Sequence, residues 1–505
     1  MSCSKSFASF WFFSLPCPRF SRPLVLFLSS SRIIMGQSPS TPLANCLTQA
    51  VGSGNVAFPG PFWEITDVKP YNLDITPSPA AITYPSTNEE VASIITCARS
   101  NNAKVQARSG GHSYGNFGLG GGGTTDTVVV DLKNFQQFDV DQESWIATVG
   151  AGTLLGDLTD EMQKYGRAMA HGTCPQVGIG GHATIGGLGP MSRMWGAALD
   201  HVVEVDVVLA NSSIVSASTT NYPDVFWALK GAGASFGVIT QFRVITHAIP
   251  SQTVQYSYTF SQRPFSGFAD RFKLWQNMAA DPALDRRLAS QVIFSEAGMI
   301  LEGTFFGSQD EFDALNLTSI FPDASDSSVL VFNDWLGQAS HWGEDLALTL
   351  GGGIPTAFYS KSLAFTARDT MPDTTIDAWL KYLDDVDKGT LVWFAIFDLQ
   401  GGATNDVAKD ATSYGHRDAI FYLQAYAVNL LRVSDTTRAF VQGMHDVIAN
   451  SMQGHNLGAY AGFVDPALPN AQLQYWNTNY PRLQQIKAAI DPQDIFHNPQ
   501  SVQLP

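Results

Sequence analysis

The sequence has 505 residues, of which 44 are glycine and only 15% are charged, and its formal net charge at pH 7 is −16. A chain of this length is too long for one core and predicts two or three sub-structures. The acidic balance argues against nucleic acid as a partner, because binding to phosphates needs Lys and Arg. None of the five cysteines is spaced as CxxC, which argues against a zinc ribbon or a thioredoxin-like site.

The first 35 residues contain two short apolar runs, at 10–15 and 24–28, interrupted by prolines and an arginine. Neither run reaches the roughly 20 residues that a membrane-spanning helix needs, so we expect no integral membrane segment. The segment 1–35 fits a secretory leader or a gene-model extension. Met35 opens Met-Gly-Gln-Ser-Pro-Ser, which fits the N-myristoylation pattern if translation starts there. We expect a secreted protein, with an intracellular, myristoylated one as the alternative.

Strands and helices interleave from residue 36 to about residue 250, which is typical of an α+β domain. Thr87 before Glu89 and Glu90 predicts a capped helix start. Apolar runs and period-2 alternation predict the strands, and apolar residues at helical spacing predict the helices. The predicted strands are 81–85, 105–107, 128–132, 202–209 and the segment 235–244 after its glycine turn, and the predicted helices are 86–101 and 154–165.

A second pattern begins at about residue 251, where several strands follow one another with few helices between them. This pattern predicts a second domain, whose sheet is covered on one side. The strands are predicted at 255–260, 291–294, 298–306 and 391–399, the helices at 376–383 and 437–450, and a helix followed by a turn at 481–492.

Glycine is unusually dense between Gly178 and Gly189. Dense glycine lets backbone amides approach a pyrophosphate closely, but the Rossmann fingerprint does not fit, because its last glycine position is Ala183. Two interpretations of this glycine-rich segment remain open: a nucleotide-binding site on a fold other than the Rossmann fold, and a tight structural loop. Nearby, His171, Cys174 and His182 have the spacing His-x2-Cys-x7-His, which is not a common zinc pattern. We therefore expect no metal at these residues. We favour a role in contacting a cofactor over a role as buried core residues whose hydrogen bonds are made within the protein.

Two segments carry a family resemblance: Arg-Ser-Gly-Gly-His-Ser-Tyr-Gly at 108–115 and Gly-Thr-Cys-Pro-Gln-Val-Gly-Ile-Gly-Gly-His at 172–182. They resemble the berberine-bridge-enzyme-like branch of the vanillyl-alcohol oxidase (PCMH-type) superfamily, and most of all its fungal glucooligosaccharide and chitooligosaccharide oxidases. The tail at 480–487 and 491–496 is also similar. The resemblance implies a two-lobed PCMH-type FAD-binding domain at 36–250, and a substrate domain at 251–454 with an antiparallel sheet covered by helices. It also implies that residues 455–505 return to the FAD domain.

The resemblance implies FAD bound through two covalent links, from His112 to the flavin 8α-methyl group and from Cys174 to flavin C6. It also implies a disulfide between Cys46 and Cys97, which would favour secretion. Further cofactor contacts are expected at Ser109, Gly110, Gly111, Ser113, Gly172, Gly178, Gly181 and Asn479.

The resemblance also implies a reaction, in which an oligosaccharide C1 hydroxyl is oxidised to a lactone and O2 is reduced to H2O2. Asp398 matches the family's supporting aspartate, which raises the basicity of a nearby phenol, and Tyr114 and Gln424 match substrate contacts. The expected partners are therefore a small-molecule or oligosaccharide substrate and O2, and we expect a monomer.

One departure concerns the catalytic base. The family pattern Tyr-x-Asn-Tyr-x-Asp stands here as Tyr-Ala-Gly-Phe-Val-Asp at 460–465, so Phe463 occupies the position of the catalytic tyrosine. Ile396 also replaces a glutamine, which makes the pocket less polar. Three outcomes remain open. Tyr460 or Tyr114 takes over as base with Asp398, the substrate is an apolar alcohol or a secondary-metabolite intermediate, or the protein binds flavin or sugar with little turnover.

Overall fold

The computed structural model describes residues 41–261, 263–341, 355–455 and 457–505, so the prediction for residues 1–35 lies outside the described residues. Its strands in chain order are β1 Val56–Ala57, β2 Ala81–Thr83, β3 Lys104–Arg108, β4 Thr127–Asp131, β5 Phe138–Asp141, β6 Ile146–Gly150, β7 Arg167–Ala168, β8 Val202–Val208, β9 Ile214–Ser218, β10 Val238–Ile245, β11 His247–Ala248, β12 Thr253–Phe260, β13 Gln291–Ser295, β14 Gly298–Phe305, β15 Asp326–Phe332, β16 Ala357–Thr366, β17 Val392–Leu399 and β18 Ala419–Asn429.

The α-helices are α1 Pro42–Val51, α2 Asn88–Ser100, α3 Leu155–Gln163, α4 Ile179–His182, α5 Ser192–Trp195, α6 Ala198–His201, α7 Pro223–Ala232, α8 Ala269–Ala280, α9 Gln309–Asp313, α10 Leu317–Ile320, α11 Asp373–Asp385, α12 Ala403–Asp406, α13 Asp435–Ser451, α14 Ala471–Trp476 and α15 Tyr480–Ile490. Within the described ranges, no helix is long and apolar enough to cross a membrane.

Two sheets form the lobes of the N-terminal half. The first has the strand order β1-β2-β4-β3, with β2, β4 and β3 parallel, and the second has the antiparallel order β5-β6-β10-β8-β9. Strand β4 is buried along its whole length, as its continuous apolar run predicts. These sheets and their helices confirm the α+β class and the two-lobed architecture.

Helix α2 begins where the sequence predicts, because the Thr87 side chain accepts a hydrogen bond from the Glu90 amide and caps it. Helix α1 packs against it, and a disulfide joins Cys46 to Cys97 with their Cα atoms 5.7 Å apart. The predicted disulfide is therefore confirmed.

The second half of the chain contains a seven-stranded antiparallel sheet with the order β15-β12-β14-β13-β17-β18-β16. Helices α8, α11 and α13 belong to the apolar core on one of its faces, where Trp275 and Trp379 are completely buried. The prediction of an antiparallel sheet covered on one side is confirmed. The prediction missed β15, β16 and β18. Strand β18 reads Ala-Ile-Phe-Tyr-Leu-Gln-Ala-Tyr-Ala-Val-Asn, whose nearly continuous apolar run lacks the alternation that signals a strand.

The end of the chain packs against the first sheet. Phe496 forms a parallel bridge with Val105 of β3. The Val105 amide donates a hydrogen bond to the Ile495 carbonyl at 2.8 Å. Lys487 of α15 is fully buried and ion-paired with Asp491 at 2.7 Å. The C-terminal segment thus contributes side chains to the same lobe as the motif at 108–115.

Candidate active site

A cavity of about 520 Å³ is lined by both halves of the chain. One side consists of the loops after β3 and before α4, and the other is the face of the seven-stranded sheet that lies opposite its helix-covered face. All but one of the site residues that the sequence predicts line this cavity: Ser109, Gly110, Gly111, His112, Ser113, Tyr114, Gly172, Cys174, Gly178, Gly181, Asp398, Gln424, Tyr460 and Phe463.

Two glycines let the predicted flavin-binding loops touch through their backbones. A Cβ atom on Gly178 would lie 2.1 Å from the Gly110 nitrogen, and one on Gly110 would lie 2.4 Å from the Gly178 nitrogen. Any side chain at either position would push the loops apart. This contact brings His112 Nε2 to within 3.6 Å of Cys174 Sγ.

The protonation states of this pair follow from burial. Burial lowers the pKa of His112 to about 4, so the imidazole is neutral at pH 7, and its ring lies 3.8 Å from the Tyr71 ring between centroids. Burial also raises the pKa of the Cys174 thiol, although the amides of Gln176 and Val177 oppose this shift. The thiol therefore keeps its proton, and the neutral imidazole has a nitrogen lone pair that can accept a hydrogen bond from it.

The other two histidines near Cys174 make hydrogen bonds within the protein. The His171 ring contacts the Gly172 carbonyl at 2.7 Å and the Thr159 hydroxyl at 3.1 Å, and His182 Nε2 accepts from the Gly172 amide at 2.9 Å. Burial lowers the pKa of His182 to about 3. These contacts orient the loop that carries Cys174, and no group of three metal-ligating side chains occurs in the part of the chain that the structure describes.

The loops fit an anionic dinucleotide. Among the described residues, the amides of Gly110 and Gly111 donate to no protein acceptor, and Gly180 and Gly181 lie in the first turn of α4, where amides have no acceptor within the helix. A Cβ atom on Gly181 would meet nothing within 4 Å, so open space lies beside this backbone. Unpaired amides beside open space suit a pyrophosphate, as the dense glycines predict. The donors, the free Cys174 thiol and the neutral His112 therefore fit the expected FAD.

Asp398 lies on the opposite wall, at the end of β17. Its Oδ2 accepts a hydrogen bond from Gln400 Nε2 at 2.6 Å. Burial raises the pKa of its carboxyl group from its ordinary value of 3.8 to about 7, because the charged form is poorly solvated there. A carboxyl group with this pKa changes its protonation state near neutral pH.

The aromatic residues of the predicted site are brought together. The Tyr460 oxygen accepts from the Gly187 and Leu188 amides at 2.9 and 3.4 Å, and burial raises its pKa to about 12. The Phe463 ring packs edge-on against Tyr460 with centroids 5.1 Å apart. The Tyr114 oxygen accepts from Gln424 Nε2 at 2.8 Å, and burial likewise raises its pKa.

Asn479 is the exception, because the structure does not bring it to the cavity. Its amide nitrogen donates to the carbonyls of Lys409 and Thr412, at 2.8 and 3.2 Å. These two bonds hold the loop that leads to β18, so the side chain supports that loop. Sequence position in a family-like tail could not predict this role.

Sequence reasoning missed a group of residues that line the sheet side of the cavity. They share the face of Asp398, and strand register alone brings them there: Gln255, Gln291, Ile293, Glu302, Thr304, Phe394 and Tyr426. Alternation within 291–294 predicts a strand, but nothing local says which face meets the cavity.

Comparison with known protein families finds a match for the N-terminal motif segments and another for the C-terminal tail. Residues 79–218 match the family described as FAD binding domain, and residues 459–503 match the family described as berberine and berberine like. The chain is 40% identical over 474 residues to FAD-linked oxidoreductase sorD of Penicillium rubens, covering 92% of this chain and 98% of that protein.

Two solved structures have the same fold. The xylooligosaccharide oxidase from Myceliophthora thermophila, in complex with xylobiose, superposes with a TM-score of 0.83 at 32% identity, over 92% of this chain and 100% of that one. The glucooligosaccharide oxidase from Acremonium strictum, which carries a 6-S-cysteinyl, 8α-N1-histidyl FAD, gives a TM-score of 0.80 at 29% identity, over 92% and 99%.

Proposed function

Because this chain belongs to the berberine-bridge-enzyme-like family of FAD-linked oxidoreductases, we propose that it holds FAD through both His112 and Cys174 and oxidises a hydroxyl group of a small molecule. The 3.6 Å contact between His112 Nε2 and Cys174 Sγ supports the double attachment, since flavin C6 and the 8α-methyl group on C8 belong to the same ring of the flavin. The cysteinyl and histidyl links of the glucooligosaccharide oxidase from Acremonium strictum support it as well.

Bound FAD supplies a hydride acceptor, and O2 is the proposed final oxidant, forming H2O2. The protein must remove the hydroxyl proton, and we assign this role to Asp398. Among the cavity groups described above, the Asp398 carboxyl group has a pKa close to neutral pH, about 7, where a general base works best. The position of Asp398 on the cavity wall, near the end of β17, carries the assignment together with this pKa.

The aromatic candidates are less suited to accept the proton. Phe463 has no ionisable group. Tyr460 has a pKa of about 12, and its oxygen already accepts two backbone hydrogen bonds. Tyr114 has a raised pKa and is bonded to Gln424. We infer that Tyr460 and Tyr114 shape the cavity around Asp398.

The cavity wall supports an apolar alcohol or secondary-metabolite intermediate as the substrate. Ile293, Phe394 and Ile396 form a buried apolar cluster on the sheet face beside Asp398. A sugar ring, with hydroxyl groups along its whole edge, would leave some of them without partners against this cluster.

The second candidate reaction is oxidation of an oligosaccharide C1 hydroxyl to a lactone. Relatives described as xylooligosaccharide and glucooligosaccharide oxidases support it, at 33% and 32% identity. The polar pair Tyr114–Gln424 at the cavity also supports it, because each side chain offers hydrogen bonds to a sugar.

Anaerobic bleaching of the flavin absorbance tests these proposals. We expect the purified protein to be yellow and to bleach faster with benzyl alcohol than with cellobiose or xylobiose. Faster bleaching by the sugars would favour the second candidate, and no bleaching by any alcohol would contradict the oxidase function. His112→Ala and Cys174→Ala should each retain flavin after acid precipitation through the remaining link, and release of all flavin from either variant would disprove double attachment.

We also propose that the protein is secreted. The Cys46–Cys97 disulfide suits an oxidising compartment. Fractionation of the source cells tests this proposal, since an exported protein should be found in the culture medium. Recovery from the cytosol alone would contradict it.

A further inference from the structure

A tyrosine far from the flavin-binding motifs in sequence packs on the ring of His112. The centroids of the Tyr71 and His112 rings lie 3.8 Å apart, and the two planes are tilted by 30°. Phe358 of β16 contacts the Tyr71 ring edge-on, with centroids 5.6 Å apart. Tyr71 is buried, so one face of the imidazole lies against an aromatic ring that other side chains hold in place.

Asn116 ties the segment around Tyr71 to the loop that carries His112. It is the fourth residue after His112, is buried, and has a left-handed backbone conformation with φ 53°. Its Oδ1 accepts hydrogen bonds from the amides of Tyr71 and Asn72, both at 3.1 Å. Its Nδ2 donates to the carbonyls of Asn72 and Ile75, at 2.8 and 2.9 Å. Both donor hydrogens and both acceptor positions of this side chain are therefore directed at one segment.

Asn72 strengthens the same connection. Its Nδ2 donates to the Tyr114 carbonyl at 2.9 Å and to the Phe358 carbonyl at 3.2 Å. The first bond leads to the loop after β3, and the second leads to β16 of the seven-stranded sheet. The position of the Tyr71 ring is thus fixed by hydrogen bonds from both halves of the chain.

The imidazole of His112 is constrained at one face and at one edge. The Tyr71 ring covers the face, and His112 Nε2 lies 3.6 Å from Cys174 Sγ. A half-turn about the Cβ–Cγ bond would exchange each ring nitrogen with a carbon, and it needs space beside the ring that Tyr71 occupies. A bond to the flavin requires a nitrogen lone pair that points at the 8α-carbon. Holding a reacting group in the required orientation accelerates such a step.

We propose that Tyr71 is a positioning residue for the covalent link between His112 and the flavin, and that Asn116 acts through Tyr71. The inference rests on the proposed attachment of FAD to His112. In that reaction a new C–N bond replaces one imidazole N–H bond and one methyl C–H bond. The two protons and two electrons released reduce the flavin, and O2 reoxidises it with formation of H2O2. Tyr71 and Asn116 exchange no atoms and only orient the imidazole.

Variants with a single link separate positioning from folding. Cys174→Ala leaves only the histidyl link, and His112→Ala leaves only the cysteinyl link. Each is combined with Tyr71→Ala, Tyr71→Phe or the matched control Tyr165→Ala. Tyr165 serves as the control because its partly buried ring packs on Phe138 of β5, with centroids 6.2 Å apart. The full-length chains are purified from riboflavin-limited cells and incubated with FAD, and the flavin that stays with the acid-precipitated polypeptide is measured over time.

Only the histidyl link should depend on the Tyr71 ring. In Cys174→Ala, Tyr71→Ala should slow covalent incorporation about 10²-fold, the cost of misplacing a reacting group by about 1 Å. Tyr71→Phe keeps the ring and Tyr165→Ala leaves the site intact, so both should stay within about twofold, the usual scatter of independent substitutions. In His112→Ala, all three substitutions should leave the rate of cysteinyl attachment within about twofold.

Asn116→Gly tests the second part of the proposal. It removes the side chain but retains a residue that adopts positive φ without strain. In Cys174→Ala it should slow incorporation, and adding it to Tyr71→Ala should slow incorporation no further, because residues that act through one contact are not additive. Fully additive effects would show that Asn116 acts independently of Tyr71.

The outcomes distinguish this inference from the proposed function. An equal loss of both links in Tyr71→Ala would indicate a general structural role and overturn the inference. An unchanged histidyl rate in Tyr71→Ala, or a rate in Tyr71→Phe as slow as in Tyr71→Ala, would overturn it as well, and both results leave the double attachment intact. Failure of Cys174→Ala itself to acquire acid-stable flavin would contradict the proposed histidyl link.

Discussion

Asp398→Asn should lower the rate of anaerobic flavin bleaching by about 10²- to 10⁴-fold, the usual contribution of a general base. The pH dependence is more diagnostic than the rate. The pKa of Asp398 is about 7, so about a tenth of the carboxyl groups are ionised at pH 6 and about nine tenths at pH 8. The ionised form accepts the proton, so kcat/KM for bleaching should rise about tenfold between these pH values and level off above pH 8.

Stopped-flow absorbance with limiting benzyl alcohol measures this profile between pH 5 and pH 9. The Asp398→Asn variant should lose the rising limb because it has no group that titrates there, while its size lets it keep the contact with Gln400. Asp139→Asn, an exposed substitution, should keep the full profile. The same rising limb in Asp398→Asn, or a flat profile in the native protein, would refute the assignment of Asp398 as the base.

Three further substitutions test the scaffold of the site. Gly178→Ala should abolish flavin incorporation, because its Cβ atom would lie 2.1 Å from backbone and side-chain atoms of the neighbouring loop, whereas Gly54→Ala, with nothing within 4 Å, should incorporate flavin normally. Tyr460→Phe should lower the free energy of unfolding by about 1–3 kcal/mol in a denaturant titration, because two buried amides lose their acceptor, and Tyr222→Phe at an exposed site should have no effect. Phe463→Tyr should raise cellobiose bleaching about tenfold by adding an ionisable phenol to the cavity, and an unchanged rate would show that position 463 does not contact the reacting hydroxyl.

Local patterns predict the elements that carry their own signals. Helix α2 begins at its Thr87 cap, and β8 shows the alternation expected of a strand. The same reasoning fails for β18, whose apolar run is consistent with more than one structure. Local patterns also do not predict the bond from Asn479 to the Lys409 carbonyl, because it depends on where the distant segment around Lys409 folds.

Residue identity and family-like motifs determine, from the sequence alone, the fold class, the candidate flavin links His112 and Cys174, and the loss of a phenol at Phe463. The order and identity of the residues along the chain are enough to predict these properties, without knowing which distant segments contact one another. Only the tertiary structure decides that Asp398 has a pKa of about 7 and that the Tyr71 ring packs on His112. Both result from burial and ring contacts, which depend on segments far apart in the chain packing against one another.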